Sequence, residues 1–151
     1  MAAITIYTDG SSLGNPGAGG YGVVLISGPH RKELSAGFRQ TTNNRMELMA
    51  VCVALEALKF DSSDVTLYSD SKYVVDAVSK GWVFGWERKH FSGKKNPDLW
   101  ARFLRAYRRH HVRFVWVKGH AETVENNRCD ALAVAAAGGA VLLEDVGYQP
   151  E

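Results

Sequence analysis

The sequence predicts an α/β fold in which helices cover a mixed sheet. Strand patterns separated by glycine-rich turns come first, and strand patterns that alternate with helix patterns follow them. The length of 151 residues suits one domain, and no repeat of solenoid length is present. We therefore expect residues 1–151 to form a single domain around one hydrophobic core.

The N-terminal third carries three strand patterns. They cover Ile4 to Asp9, Tyr21 to Ser27 and Leu34 to Thr41. A turn-rich stretch from Gly10 to Gly20 separates the first two, and Gly28-Pro29 turns the chain before the third. Consecutive strands joined in this way predict an antiparallel meander.

Helix and strand patterns alternate in the remaining sequence. The predicted elements are a largely apolar helix from Asn43 or Asn44 to about Lys59, a strand from Val65 to Ser69, a helix capped by Asp70 or Ser71 and ending near Ser79, an amphipathic helix through residues 99–107, a strand at residues 114–117, and an Ala-rich helix from about Asn126 to Gly138. A meander followed by alternating strands and helices predicts a mixed sheet.

Basic residues are concentrated in one segment. Residues 80–113 contain ten Lys and Arg against two acids, whereas the rest of the chain has eight bases and fourteen acids. A basic segment beside an acidic remainder suits a polyanion held next to a metal site. A solvated basic face is the commoner meaning of such a run, so the charge pattern alone does not decide between the two.

Cysteine usage and hydropathy indicate the compartment. Cys52 and Cys129 form no CxxC pair, which argues against a zinc site or a disulfide framework. The N-terminus has no basic region before its apolar residues, and the weakly polar stretch from Ala131 to Leu143 is too short to cross a bilayer. These features predict a cytoplasmic protein with reduced cysteines and no membrane segment.

Two strand patterns end in the same way. Ile4-Thr-Ile-Tyr-Thr-Asp9 and Val65-Thr-Leu-Tyr-Ser-Asp70 match position by position in residue type. If these strands are parallel neighbours about 4.8 Å apart, both carboxylates leave one edge of the sheet, where open α/β sheets bind ligands. Two close carboxylates favour a divalent cation, although a turn at Asp9 and a helix cap at Asp70 are local alternatives. The matched positions predict a metal site.

Two further acids are candidate ligands. Glu47 falls in the first turns of a mostly apolar helix, where an unpaired carboxylate facing the sheet would carry a large desolvation cost. Asp130 lies in the first turn of the last predicted helix. Either acid could instead stabilise its helix dipole. Four acidic oxygen donors suit Mg²⁺ or Mn²⁺, and the absence of a His/Cys cluster argues against zinc.

One histidine differs from the other four in its position. His120 lies in the loop from Lys118 to Glu122, ten residues before Asp130. An imidazole at this place could shuttle protons near a metal ion, and an exposed loop histidine without a function is the alternative.

Five ordered motifs resemble those of the bacterial type 1 ribonuclease H family and together span essentially the whole chain. They are Asp9-Gly-Ser-Ser-Leu-Gly-Asn-Pro-Gly17, Thr41-Thr-Asn-Asn-Arg-Met-Glu-Leu48, Tyr68-Ser-Asp-Ser71, Trp116-Val-Lys-Gly-His-Ala121 and Asn127-Arg-Cys-Asp130. The tail from Leu143 to Tyr148 is also similar. The resemblance implies a ribonuclease H-like fold, with a mixed five-stranded sheet, an antiparallel meander and helices on both faces.

The resemblance also implies an activity. Members of this family cleave the RNA strand of RNA/DNA hybrids and leave 5′-phosphate and 3′-hydroxyl ends. Asp9, Glu47, Asp70 and Asp130 match the family's metal-binding carboxylates, which use two Mg²⁺ ions, with Mn²⁺ as a plausible substitute. His120 matches the histidine that assists proton transfer or product release.

Substrate contacts are implied in the same way. The residues that match contacts to the hybrid are Gly10, Ser11, Asn15, Asn43, Asn44 and Ser71, with Thr42 as a DNA-phosphate contact. A basic protrusion at about residues 80–96, with Trp82, Trp86, Lys94 and Lys95, matches the segment that grips the DNA strand. Ser12 and Lys72 depart from some relatives, which affects fine substrate contacts and not the chemistry. We expect a monomer with a C-terminal tail from about residue 138.

Two other functions share part of this pattern. One is a DNA resolvase or strand-transfer nuclease of related fold, which would use the same carboxylates. The basic protrusion and the two asparagines after Thr42 favour the hybrid-cleaving enzyme. The other is a non-catalytic hybrid-binding module, and the presence of all four acids together with His120 argues against it.

Overall fold

A five-stranded sheet organises the computed structural model, which describes residues 3–118 and 123–150. The elements in chain order are β1 (Ala3–Ser12), β2 (Gly17–Ser27), β3 (His30–Thr41), α1 (Asn43–Glu56), β4 (Asp64–Ser69), α2 (Lys72–Ser79), α3 (Trp82–Arg88), α4 (Pro97–Tyr107), β5 (His111–Trp116) and α5 (Val124–Ala137). Among the described residues, no helix is long and apolar enough to span a membrane.

The strand order is β3-β2-β1-β4-β5. Strands β1, β2 and β3 pair antiparallel, as the predicted meander requires, whereas β4 pairs parallel with both β1 and β5. The mixed sheet is therefore confirmed. Its two look-alike strands, β1 and β4, are parallel neighbours at the centre of the sheet.

Helices cover both faces of this sheet. Helix α1 packs on β1 and β2 and is covered in turn by α4, so it is buried almost all round. Helix α5 packs on β1, β2 and β3 from the other side. Close packing of α5 depends on glycines in β2, because a Cβ at Gly22 would collide with the backbone oxygen of Cys129 and one at Gly20 with that of Ala133.

The turn-rich connection predicted from Gly10 to Gly20 is longer than the one in the structure. Strand β1 continues to Ser12 and β2 begins at Gly17, so the connection is only residues 13–16. Gly10 pairs with Tyr21 in the antiparallel ladder. Gly10 and Gly20 hide the strand character of this stretch in the sequence, because they are used for close helix packing and not for turning the chain.

The basic segment contains a helix that the sequence did not predict. Helix α3 begins after Gly81, which has a left-handed backbone (φ 75°). It buries Val83 and places the Trp86 ring edge-on against Trp100, with ring centroids 5.5 Å apart. This helix has only seven residues, so the spacing of its apolar residues does not stand out among the basic residues around it. Several other element ends differ from prediction by a few residues, since helix and strand ends depend on tertiary contacts.

A buried ionic network joins α1, α4 and the C-terminal tail. The Arg45 side chain is only 1% exposed and donates to both carboxylate oxygens of Asp145, at 2.7 and 2.9 Å. It also donates to both oxygens of Asp98, at 2.9 and 2.8 Å. Thr41 donates a further hydrogen bond to Asp145. The tail is held as well by backbone hydrogen bonds between Leu143 and the edge strand β3.

We expect Asp145→Ala to lower the free energy of unfolding by about 3 kcal/mol, because it removes one partner of a buried ion pair. The neighbouring variant Glu144→Ala is the control, since Glu144 pairs with Arg39 on the surface. Its expected cost is below about 1 kcal/mol. Urea unfolding measures both, and equal losses would show that the buried network does not hold the tail.

Candidate metal centre

Three carboxylates converge at one edge of the sheet. One oxygen from each of Asp9, Glu47 and Asp70 lies within 4.8 Å of the other two. Asp9 is in β1, Glu47 in α1, and Asp70 follows the end of β4. The three groups therefore come from separate elements and meet only in the folded chain.

The register of β1 and β4 brings the two aspartates together. The parallel pairing of β1 with β4 ends at Tyr7 and Tyr68, whose rings stack with centroids 4.9 Å apart. Asp9 and Asp70 lie two residues beyond this pair in their respective segments. The predicted juxtaposition is confirmed, with the difference that β1 continues past Asp9 as a partner of β2.

Glu47 reaches the aspartates because α1 lies directly on β1. The backbone N–H of Gly10 donates to a Glu47 carboxylate oxygen, and a Cβ at residue 10 would collide with the backbone nitrogen of Glu47. Thr42 caps the helix by accepting from the N–H of Arg45 at 3.2 Å. The predicted cap at Asn43 or Asn44 is therefore wrong by one or two residues.

Helix α2 begins just after Asp70 without using its carboxylate. Ser71 is the N-cap residue and accepts from the N–H of Val74 at 3.3 Å. The Asp70 side chain is thus left for the cluster, and its Oδ1 is buried without a hydrogen-bond partner among the described residues. A buried carboxylate oxygen without a donor is a suitable ligand for a cation.

Burial and mutual repulsion keep protons on the cluster when no metal is bound. Burial first, and the charge of Asp70 second, raise the pKa of Asp9 to about 7. Burial and the charges of Asp9 and Asp70 raise the pKa of Glu47 well above its ordinary value. A divalent cation would stabilise the ionised carboxylates, and oxygen donors of this kind suit Mg²⁺ or Mn²⁺.

Asp130 lies across a small cavity from this cluster. It belongs to α5, lines the same cavity as Asp9 and Asp70, and contributes to the raised pKa of Asp9. It is not one of the three residues whose oxygens lie within 4.8 Å of one another. The four predicted acids are thus a compact group of three with the fourth facing it. His120 lies outside the described residues.

The predicted substrate-binding residues fall into two groups. Gly10, Ser11 and Ser71 belong to the elements that carry the carboxylates. Apart from Trp82, the others line or adjoin a groove of about 770 Å³ beside the N-terminus of α1, whose lining includes Asn15, Thr42, Asn44, Lys94 and Lys95. Asn43 is held at this groove by donating its backbone N–H to Asn15 Oδ1 at 3.0 Å.

In the basic protrusion, lysine ammonium groups lie over tryptophan rings. Lys94 Nζ lies 5.0 Å from the centre of the Trp86 ring, and Lys80 Nζ lies 5.2 Å from that of Trp82. Trp82 is 49% exposed. An exposed tryptophan next to cationic groups is able to contact a nucleic acid.

Trp116 lies at the site although it was not among the predicted site residues. It is 43% exposed, and its indole N–H donates to the backbone oxygen of Asp70 at 3.1 Å. Lys72 Nζ lies over its ring at 4.7 Å. Because β5 is the edge strand next to β4, this contact depends on strand order, which the sequence alone did not provide.

The fold and the carboxylate cluster define a metal-dependent nuclease with a ribonuclease H-like architecture. A sequence model of the RNase H family matches residues 1–138. The chain belongs to the ribonuclease H family.

Relatives support this assignment over nearly the full length. The chain is 57% identical over 150 residues to the ribonuclease H of Syntrophus aciditrophicus, covering 96% of this chain and 86% of the relative. It is 51% identical over 153 residues to the ribonuclease HI of Pasteurella multocida, covering 98% and 97%.

Solved structures agree with the fold. LC9-RNase H1, described as a type 1 RNase H with the type 2 active-site motif, superposes with a TM-score of 0.84 at 33% identity, covering 93% of this chain and 74% of that one. LC11-RNase H1 in complex with an RNA/DNA hybrid superposes with a TM-score of 0.67 at 28% identity, covering 89% and 96%.

The raised pKa of Asp9 predicts how stability depends on pH. Without metal, the unfolded carboxyl loses its proton near pH 3.8 but the folded one only near pH 7, so stability falls across this interval as pH rises. We expect Asp9→Asn to be the more stable protein at about pH 8, by on the order of 3 kcal/mol, and to lose this advantage at about pH 4.

Urea unfolding with a chelator present at both pH values measures this difference. Asp64→Asn, at the exposed opposite end of β4, is the control and is expected to show no such gain. An Asp9→Asn effect of equal size at both pH values would contradict the electrostatic explanation.

Proposed function

We propose that this ribonuclease H is an endonuclease that hydrolyses the RNA strand of RNA/DNA hybrids and leaves 5′-phosphate and 3′-hydroxyl ends. The observation that carries the proposal is the buried cluster of Asp9, Glu47 and Asp70 at the edge of a ribonuclease H fold. The hybrid-bound relative LC11-RNase H1 supports this choice of substrate.

Asp9, Glu47, Asp70 and Asp130 are the residues that would hold two Mg²⁺ ions, for which Mn²⁺ is a plausible substitute. When bound, such ions activate the attacking water and stabilise the leaving 3′ oxygen. The fit rests on the buried, unpartnered oxygen of Asp70 and on the position of Asp130 across the cavity from Asp9.

Neighbouring groups of the chain would orient these carboxylates. The Gly10 N–H fixes one oxygen of Glu47, and the Trp116 indole fixes the backbone of Asp70. Burial of the cluster strengthens every electrostatic interaction within it. His120, which follows β5 by four residues, is proposed to assist proton transfer or product release.

The proposed hybrid-binding surface extends from the carboxylates to the groove. Gly10, Ser11 and Ser71 would contact the hybrid near the cluster. Asn15, Asn43 and Asn44 would contact it at the groove, with Thr42 at a DNA phosphate, and Trp82, Lys94 and Lys95 would hold the DNA strand. The backbone of Asn43 and the side chain of Asn15 are already fixed to each other. Contacts of this kind recognise shape and backbone more than base sequence.

A DNA resolvase or strand-transfer nuclease of related fold is the second candidate, because it would use the same carboxylates. Cleavage of matched RNA/DNA hybrid, duplex DNA and duplex RNA distinguishes the two. A non-catalytic hybrid-binding module would cleave none of them.

We also propose that residues 1–151 act as one domain in a cytoplasmic monomer. Both Cys52 and Cys129 are buried and free, which suits a reducing compartment. Sedimentation of the purified protein tests the oligomeric state.

Asp9→Asn and Asp70→Asn are each expected to abolish Mg²⁺-dependent cleavage, because each removes a charged ligand from the cluster, while hybrid binding persists. Single-turnover cleavage of a labelled hybrid and a binding assay in Ca²⁺ measure the two properties. Asp64→Asn is the matched control and is expected to retain activity, since Asp64 is exposed at the other end of β4. Full activity in both cluster variants would refute the metal centre.

Replacing Lys94 and Lys95 with glutamine is expected to weaken hybrid binding and to flatten its dependence on salt. Each phosphate contact that is lost lowers the slope of log K against log[salt] by about 0.9. The same change at Lys32 and Lys59, which are exposed away from the groove, is the control. An unchanged slope in the Lys94/Lys95 variant would mean that the basic protrusion is only a solvated surface.

A further inference from the structure

The C-terminal tail is held in place by polar contacts and not by apolar packing. None of its described residues belongs to the hydrophobic core, and Val141, Leu143 and Val146 are 80%, 49% and 86% exposed. Its one buried carboxylate, that of Asp145, binds Arg45. Desolvation offsets much of the attraction in a buried ion pair, but the pair fixes the position of the groups that it joins. The contacts of the tail therefore serve to place it at one position on the surface.

A turn follows directly after the buried Asp145. The backbone N–H of Tyr148 donates to the backbone oxygen of Asp145 at 3.1 Å, which closes the turn. Gly147 has a left-handed backbone (φ 97°), as the third position of a type II turn requires. A Cβ at Gly147 would also collide with the carboxylate of Asp98, which belongs to the same ionic network. The turn is therefore packed onto this network, and only glycine fits its third position without strain.

This turn brings the end of the tail to the groove beside the N-terminus of α1. Residues 147–150 all line that groove, together with Thr42, Lys94 and Lys95, which are the predicted contacts to a DNA strand. The tail lies beyond the part of the chain that the family's sequence model matches. One wall of the groove is thus built from a segment to which the resemblance assigned no substrate contact.

We propose that the tail is a further part of the substrate-binding surface, in which the Tyr148 hydroxyl donates a hydrogen bond to a phosphate oxygen of the strand held in the groove. The inference rests on the proposed function, by which this strand is the DNA of the hybrid. Tyrosine is among the side chains that bond to phosphate oxygens. Tyr148 is half-buried on a turn fixed by the buried network, so little ordering is left for the binding step. The positive charges of Lys94 and Lys95 attract the same strand.

The test measures hybrid affinity in Ca²⁺ over a range of salt concentrations, together with the melting temperature of the free protein. Tyr148→Phe keeps the ring and removes only the hydroxyl, so it is expected to melt at the same temperature as the unaltered chain. Its affinity for the hybrid is expected to fall by about 5- to 10-fold, the usual effect of losing one hydrogen bond. The slope of log K against log[salt] is expected to stay unchanged, because a neutral phenol releases no counterions.

Two further variants accompany this one. Tyr148→Ala removes the ring as well as the hydroxyl and is expected to weaken hybrid binding at least as much as Tyr148→Phe. Val146→Ala is the matched control, because Val146 belongs to the same turn, is 86% exposed and does not line the groove. It is expected to bind the hybrid as the unaltered chain does.

The outcomes separate this inference from the proposed function. Unchanged affinity in both Tyr148→Phe and Tyr148→Ala would overturn the inference while hybrid binding and cleavage by the unaltered chain stand. A lower melting temperature of Tyr148→Phe would also overturn it, since the hydroxyl would then act within the fold. An equal loss of affinity in Val146→Ala would overturn it too, because the effect would then come from the conformation of the tail. Absence of hybrid binding by the unaltered chain would refute the proposed function, and the inference with it.

Discussion

The close approach of three buried carboxylates is the constraint on which the rest of the structure depends. Asp9, Glu47 and Asp70 repel one another, and burial disfavours their charged forms still more. The fold has to hold them together against this cost. It does so with the most rigid parts available, which are a central parallel strand pair and a helix buried almost all round.

Helix α1 contributes to two clusters of charged residues, one that contains a cationic side chain and one that consists of carboxylates. Arg45 faces Asp98 and Asp145, so that the chain itself supplies the cation and nearly every hydrogen bond is satisfied. Two residues later, Glu47 faces two aspartates and no cationic side chain is among the causes that set its pKa. In the first cluster one guanidinium compensates part of the charge of two carboxylates and ties α1 to α4 and the tail. The second lacks a cation, which is why the same helix is both an anchor for the tail and a suitable support for a metal ion.

The sequence predicted the parts of the site that depend on local pattern. The matched segments ending in Asp9 and Asp70 specify equivalent strand positions, and the apolar surroundings of Glu47 place its carboxylate toward the sheet. Other features depend on contacts between distant segments and have no local pattern. The burial of Arg45 requires the tail, the role of Trp116 requires the strand order, and β1 passes beyond Asp9 because β2 continues to pair with it. The separation of Asp130 from the other three acids likewise depends on where α5 crosses the sheet.

The position of α1 also relates the groove to the carboxylates. Thr42, which caps the helix at the groove, and Glu47 are five residues apart, a rise of about 7.5 Å along a helix. Arg45 lies between them and fixes this turn to α4 and the tail, so the two sites cannot move independently without breaking a buried ionic network. On the proposed function, a nucleic acid held at the groove would therefore meet the carboxylates at a fixed offset. Selection by the spacing and shape of the backbone follows from this rigidity, without contacts that distinguish one base from another.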